Sequence, residues 1–240
     1  MNSYRNTARI VGVLFLIALV FNIIAMGIYQ PILNAPDYLA NASPNKIQVI
    51  TGILLDFICV PAIIFIPIML FPVFKQHNER LALGYVVFRF FEGILFTISL
   101  INWLSLMSLS QESINSITPD ASKYQATGMY IHANIDWATL IYIIVFTLGA
   151  LIFYYLLYQS KLIPRFLSVW GFLAAVLLLT GALLGLFGFI PLLKAMAFFS
   201  PPIALNELIL AIWLIVKGFN SSVIASGSAK MDGNNTESPD

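Results

Sequence analysis

The chain has 240 residues, of which 60% are apolar, 14% aromatic and only 10% charged. A soluble domain carries about a quarter charged residues, so this composition excludes a water-soluble globule of such length. The net charge of +1 argues against nucleic acid, which would need a basic face, and the lone Cys59 excludes an internal disulfide framework or a cysteine-rich metal site.

The apolar residues come in blocks of about twenty or more, the length a helix needs to cross a bilayer. Six transmembrane spans are predicted: Ile10–Tyr29, Ile47–Phe74, Leu81–Leu109, Asn134–Tyr158, Phe166–Ile190 and Ala195–Val216. Pro31, Pro36 and Pro44 punctuate the first connection, and the polar run Lys75-Gln76-His77-Asn78-Glu79-Arg80 forms the second. A long polar stretch from Ser110 to His132 precedes the fourth span, a short basic one from Ser160 to Arg165 follows it, and Pro191 closes the fifth. The break between Ile190 and Lys194 is barely polar, yet a single segment of about 50 residues is too long for one crossing. The expected organisation is a six-helix transmembrane domain over residues 1–218 and a disordered polar tail over 219–240, rich in Ser, Asn, Gly and Ala.

Lysine and arginine orient the bundle. With a cytoplasmic N-terminus, that side holds Arg5, Arg9, Lys75, Arg80, Lys161, Arg165, Lys217 and Lys230, while the other holds Lys46, Lys123 and Lys194. Six spans then place both termini in the cytoplasm. Tyr154, Tyr155, Tyr158 and Trp170 are expected to anchor the inner interface, and Tyr29 and Trp137 the outer. Ala40-Asn41-Ala42 has the form of a signal cleavage site but lies too far beyond the apolar run, so the first helix is read as uncleaved.

Five charged residues fall inside spans: Asp56, Arg89, Glu92, Asp136 and Glu207. Four of them lie about 12–18 Å deep at about 1.5 Å per residue, and Asp136 lies just under the outer surface. A charge at a helix centre costs about 2.5–3.5 kcal/mol on insertion scales, so these groups demand partners or water. Arg89 and Glu92, spaced i, i+3, share a helix face and can pair. Asp56, Glu92 and Glu207 compete for the single guanidinium, so at least one carboxyl is expected to hold a proton near neutral pH. The cluster reads either as a polar cavity that binds a substrate or passes protons, or as an ion-pair network that locks the bundle.

Pro61, Pro67 and Pro72 each remove a helical hydrogen bond, so the second span is expected to bend on the cytoplasmic side of Asp56. A broken helix beside a buried acid is a feature of many transporter sites, although prolines are also simply tolerated in membrane helices. Gly181, Gly185 and Gly188 give the fifth span a smooth face, for packing within the bundle or, as the lesser option, for homodimerisation. The three helices running from outside to inside carry one acid each, Asp56, Asp136 and Glu207, which is compatible with an inverted repeat without establishing one. His77 and His132 are expected in loops on opposite faces, where they cannot share a metal. No nucleophile elbow, zinc-protease helix, phosphate loop or dinucleotide fingerprint occurs, and no cofactor is expected.

Several segments together resemble a bacterial membrane family catalogued as domain of unknown function 4386. They are Ala8-Arg9-Ile10-Val11-Gly12, Asp37-Tyr38-Leu39-Ala40-Asn41, Arg89-Phe90-Phe91-Glu92, Leu162-Ile163-Pro164-Arg165 with Trp170-Gly171, and Glu207 followed by Trp213-Leu214-Ile215-Val216-Lys217-Gly218-Phe219. The resemblance spans residues 5–219 and implies a six-helix bacterial inner-membrane protein without specifying an activity. Its pattern carries a basic residue just before Asp56, where this chain has Ile50-Thr51-Gly52.

The expectation is therefore an all-α integral membrane bundle in a bacterial cytoplasmic membrane. Its leading function is a small-molecule or ion carrier, or ligand-binding protein, built round Arg89, Glu92, Asp56 and Glu207 and taking a small anionic or protonatable ligand. The alternatives are a structural or partner-binding membrane component and, third, an intramembrane enzyme with an unfamiliar carboxylate site.

Overall fold

Apolar surroundings offer the backbone no hydrogen bonds, so it has to satisfy itself locally, and a helix does so within one segment. In the computed structural model, which describes residues 2–116 and 121–220, every regular element is helical. In chain order these are α1 (Asn2–Leu33), α2 (Tyr38–Asn41), α3 (Lys46–Asn115), α4 (Ala121–Ser160), α5 (Arg165–Leu186), α6 (Leu192–Phe199) and α7 (Pro201–Val216). Four helices are long and apolar enough to cross a membrane, and the bent pair α6–α7 makes a fifth candidate. The described residues thus form an all-α bundle whose four to five long apolar helices are consistent with a lipid bilayer.

The boundaries differ from the expected ones in instructive ways. The second and third expected spans lie in one 70-residue helix, α3, interrupted at a single residue rather than by a polar loop. Asn78 takes extended dihedrals (φ −159°, ψ 101°) and its Oδ1 accepts the Leu81 N–H at 3.0 Å. That is an N-cap, which starts a fresh helix in one step and keeps the surrounding polar run helical. The two arms, 46–77 and 79–115, fold back on each other. Phe74 meets Tyr85 at 6.2 Å between ring centroids, and a Cβ on Gly93 would lie 3.2 Å from Ile64.

The expected bend at Pro61, Pro67 and Pro72 is not a break: Asn78 is the one residue inside α3 with non-helical dihedrals. The broken helix is the last one instead. The expected span Ala195–Val216 is divided at Ser200 into α6 and α7, which meet at a 42° bend. Pro201 and Pro202 lack the N–H groups that would continue the ladder from α6, yet they suit the first turn of a new helix.

Side-chain burial corrects two further expectations. Tyr29 and Tyr154 are core residues rather than interfacial anchors, whereas Tyr155, Tyr158 and Trp137 are exposed as anchoring requires. Tyr154 is buried because Gly171 of α5 leaves room for its ring. His77 and His132 lie within helices rather than loops; His132 packs edge-on against Tyr38 and Trp103. The packed chain also runs slightly past the expected domain end, since Phe219 is buried and the Asn220 N–H donates to the Leu162 carbonyl at 2.8 Å. The expected disordered tail falls largely on residues 221–240, which lie outside the described residues.

Two apolar clusters fill the bundle. One surrounds Phe74, Tyr85, Phe153 and Tyr154, and the other surrounds Tyr29, Ile53, Leu100 and Trp103. α1 closes on α7 at Gly12, where a Cβ would sit 2.7 Å from the Ala211 carbonyl oxygen. A backbone atom in a helix cannot step aside as a side chain can. Gly12→Ala is therefore expected to lower stability by about 1–3 kcal/mol. Gly27→Ala, with nothing within 4 Å of the new carbon, is expected to be neutral or slightly stabilising. Thermal unfolding in detergent checks this contrast, and equal midpoints would refute the close packing of α1 on α7.

Candidate functional site

The deep charges form two groups rather than one. Arg89 and Glu92 stand one turn apart on the second arm of α3, both almost fully buried. Arg89 Nη1 donates to Glu92 Oε2 at 2.9 Å and to Oε1 at 3.2 Å, the one ion pair among the described residues. On the other side the guanidinium faces the Phe146 ring of α4 at 5.6 Å. Gly149 brings α4 that close, because a Cβ there would press on the Phe88 Cβ at 3.1 Å. Arg89 Nε has no hydrogen-bond partner among the described residues. A buried donor left unmade costs about 1–3 kcal/mol and marks a contact still to be supplied.

Glu207, half-buried on α7, faces the same space and interacts electrostatically with Arg89 and Glu92. No hydrogen bond or ion pair within 4 Å ties its carboxylate among the described residues. Asp56 belongs to a different constellation. Asn22 Nδ2 donates to its Oδ1 at 2.7 Å and the Tyr29 hydroxyl donates to its Oδ2 at 2.8 Å. The expected three-way competition for Arg89 is thereby reduced to two carboxylates, because two neutral donors from α1 solvate Asp56 without a counter-charge. Asp136 joins neither group: it is exposed on α4, one turn from His132.

These groups border a cavity of about 280 Å³ to which α1, both arms of α3, α4, α5 and the α6–α7 pair all contribute. Its polar lining includes Arg89, Glu92, Glu207, Asn22, Thr139 and Ser200, and Phe15, Phe96, Tyr142 and Phe146 supply aromatic walls. Met196, Ser200, Ile203, Ala204 and Glu207 repeat at helical spacing, so one face of the bent pair lines the cavity on both sides of the break. Asn22 links the two constellations, since it both lines the cavity and holds Asp56.

Asn22 and Tyr29 were not singled out by reading the sequence for charge, although their i, i+7 spacing on the first apolar run puts both on one helix face. Asn206 was missed as well. It is fully buried, and its Nδ2 donates to the Leu167 carbonyl at 3.0 Å, leaving Oδ1 unpaired. The small-residue face of α5 packs inside the bundle at Gly181, which receives the Phe199 ring of α6, whereas Gly188 lies past the end of α5, exposed and at φ 74°.

Breaking the central pair from one side leaves a buried carboxylate without compensation. Arg89→Met is expected to cost about 3–5 kcal/mol, whereas Arg89→Met combined with Glu92→Gln removes both charges and recovers most of the loss. A double-mutant cycle on unfolding in detergent measures the coupling, and additive losses would show that the pair does not act as a unit.

Comparison with known proteins gives one match. Neither a curated protein nor a solved structure matches the chain. The sequence model of a family described as "Domain of unknown function (DUF4386)" matches residues 10–218. That is nearly the whole helical bundle, including both constellations and the residues that line the cavity, and the chain belongs to this family.

Proposed function

We propose that the protein is a small-molecule carrier of the bacterial cytoplasmic membrane that binds a compact organic cation, or a proton in its place, in the central cavity. The observation that carries this reading is the composition of the cavity wall. One guanidinium faces two carboxylates there, within aromatic and apolar surroundings. With all three ionised, the site carries one negative charge in excess, which either a monovalent cation or a proton on Glu207 offsets. Arg89 is already committed to Glu92, so an added carboxylate ligand would compound the excess. A protonatable amine suits the site better than the anionic ligand that Arg89 alone would imply. The aromatic walls favour the same choice, because ring faces attract cations.

Six crossings support alternating access to such a site. The 70-residue α3 is about 105 Å long if straight, several times a bilayer core, and its fold-back at Asn78 turns it into two crossings. With α1, α4, α5 and the bent α6–α7 pair, the total is six. Gln76 Nε2 donates to the Tyr4 hydroxyl at 2.9 Å, and Arg5 approaches Gly218, so the first and last described residues share one end. Arg5, Arg9, Lys75, Arg80, Lys161, Arg165 and Lys217 gather at that end, which the positive-inside rule makes cytoplasmic. The bend at Ser200, beside the cavity, supplies the discontinuous helix that carrier sites employ.

The structural-component reading is less well supported, because the glycine face that would receive a partner is filled by Phe199. Binding of tetraethylammonium and of benzoate to the purified protein, followed by calorimetry, tests the proposal. The cation is expected to bind the wild type and to lose about tenfold or more in affinity in Glu207→Gln, which removes the unpaired carboxylate. Preferential binding of benzoate, or cation binding indifferent to Glu207→Gln, overturns it.

A further inference from the structure

A second concave site lies at the lysine- and arginine-rich end, away from the central cavity. It is a pocket of about 530 Å³ between the α4–α5 connection and the end of α7. Lys161, Arg165 and Lys217 line it, together with Trp213, and none of its lining residues among the described ones is acidic. Its two walls are joined by the hydrogen bond from the Asn220 N–H to the Leu162 carbonyl, at 2.8 Å, and by burial of Phe219. The concavity is therefore built into the fold rather than left between loose ends.

Two local features point to an anion. The first turn of α5 begins at Arg165 after Pro164 and has no capping side chain, so the positive end of the helix dipole lies at this pocket. Lys161, just past the end of α4, takes φ 55°, the left-handed conformation in which glycine is unstrained. The chain keeps a long cation at a position where backbone energetics favour glycine. Beside the pocket the surface is apolar, with Phe166 62% and Val216 61% exposed, and the Arg165 guanidinium lies over the exposed Tyr158 ring at 5.2 Å. A ligand with an anionic head and hydrocarbon chains matches both surfaces.

We propose that this pocket binds a phosphate group, supplied by the headgroup of an anionic phospholipid whose chains lie along the neighbouring apolar face. Lys161, Arg165 and Lys217 provide the charge, and the positive end of the α5 dipole adds to it. The site is independent of the central cavity and of whatever that cavity carries.

Native mass spectrometry of the delipidated full-length protein, titrated separately with phosphatidylglycerol and phosphatidylcholine, tests it. The wild type is expected to favour phosphatidylglycerol, and Arg165→Gln with Lys217→Gln to weaken that binding roughly 30-fold. Lys161→Gly is the variant that separates binding from folding, since it relieves the left-handed strain. It is expected to weaken phosphatidylglycerol binding while keeping or raising the unfolding temperature. Displacement of the lipid by inorganic phosphate would show that soluble phosphate esters share the site; resistance to displacement would assign it to the lipid headgroup. Equal binding of the two lipids by the wild type overturns the proposal. So does an equal loss in Lys75→Gln with Arg80→Gln, which removes two charges from the same end but outside the pocket.

Discussion

A guanidinium held in apolar surroundings needs a carboxylate within hydrogen-bonding distance, and this requirement organises the centre of the molecule. Arg89 is 4% exposed and Glu92, one turn away, 3%. Desolvating two charges is expensive, and their attraction offsets that cost only with good geometry and further polar contacts. The pair satisfies the first condition at 2.9 Å and leaves the second unfinished at Arg89 Nε. Around it the helices had to be arranged so that aromatic rings, a second carboxylate and an open volume meet the remaining polar surface. The cavity is the consequence.

The same economy explains why the other deep acid needs no cation. Asp56 has two neutral donors from α1, one per oxygen, and the arm that carries it packs against α1 along an apolar face. One bundle therefore handles its buried carboxylates in two ways. Hydrogen bonds alone hold Asp56 in place. The Arg89 group stays electrostatically unfinished, with Glu207 close enough to feel Arg89 and not close enough to pair with it. In the proposed reading, the satisfied Asp56 group serves structure and the Arg89 group, beside the cavity, serves a ligand or a proton.

Small residues and helix breaks set the geometry of that volume. Gly12 brings α1 onto α7, Gly149 brings α4 onto Arg89, and Gly171 admits the Tyr154 ring between α4 and α5. The break at Ser200 lets one helix pair follow the cavity wall through a 42° turn. At the opposite extreme of polarity, the basic pocket gathers three cations with no acid among its described lining residues. The protein thus separates its charges into an interior in which carboxyl groups outnumber the one guanidinium and a frankly positive end.

Much of this was legible in the residues alone. Long apolar runs specify helices in a membrane because hydropathy and the rise per residue are properties of a single segment, and the depths of Arg89, Glu92 and Glu207 follow from counting along it. The i, i+3 pairing of Arg89 with Glu92 is equally local, and the structure contains it. What a segment cannot specify is its rotation and its neighbours. Asp56 looked like a third claimant for Arg89 because its depth was right, but depth says nothing of azimuth, and α1 turned Asn22 and Tyr29 toward it first. Tyr154 looked like an interfacial anchor until Gly171, on another helix, made space for its ring. The three prolines of α3 suggested a bend beside Asp56 or mere toleration in a membrane helix, and the backbone there keeps helical dihedrals, whereas Pro201 and Pro202 open a new helix at the 42° bend. By itself the sequence determined that the chain is a helical membrane protein and which side chains are costly to keep within it. The tertiary structure decided which of those side chains meet, because helix packing, not helix formation, brings residues far apart in the chain within a few ångströms.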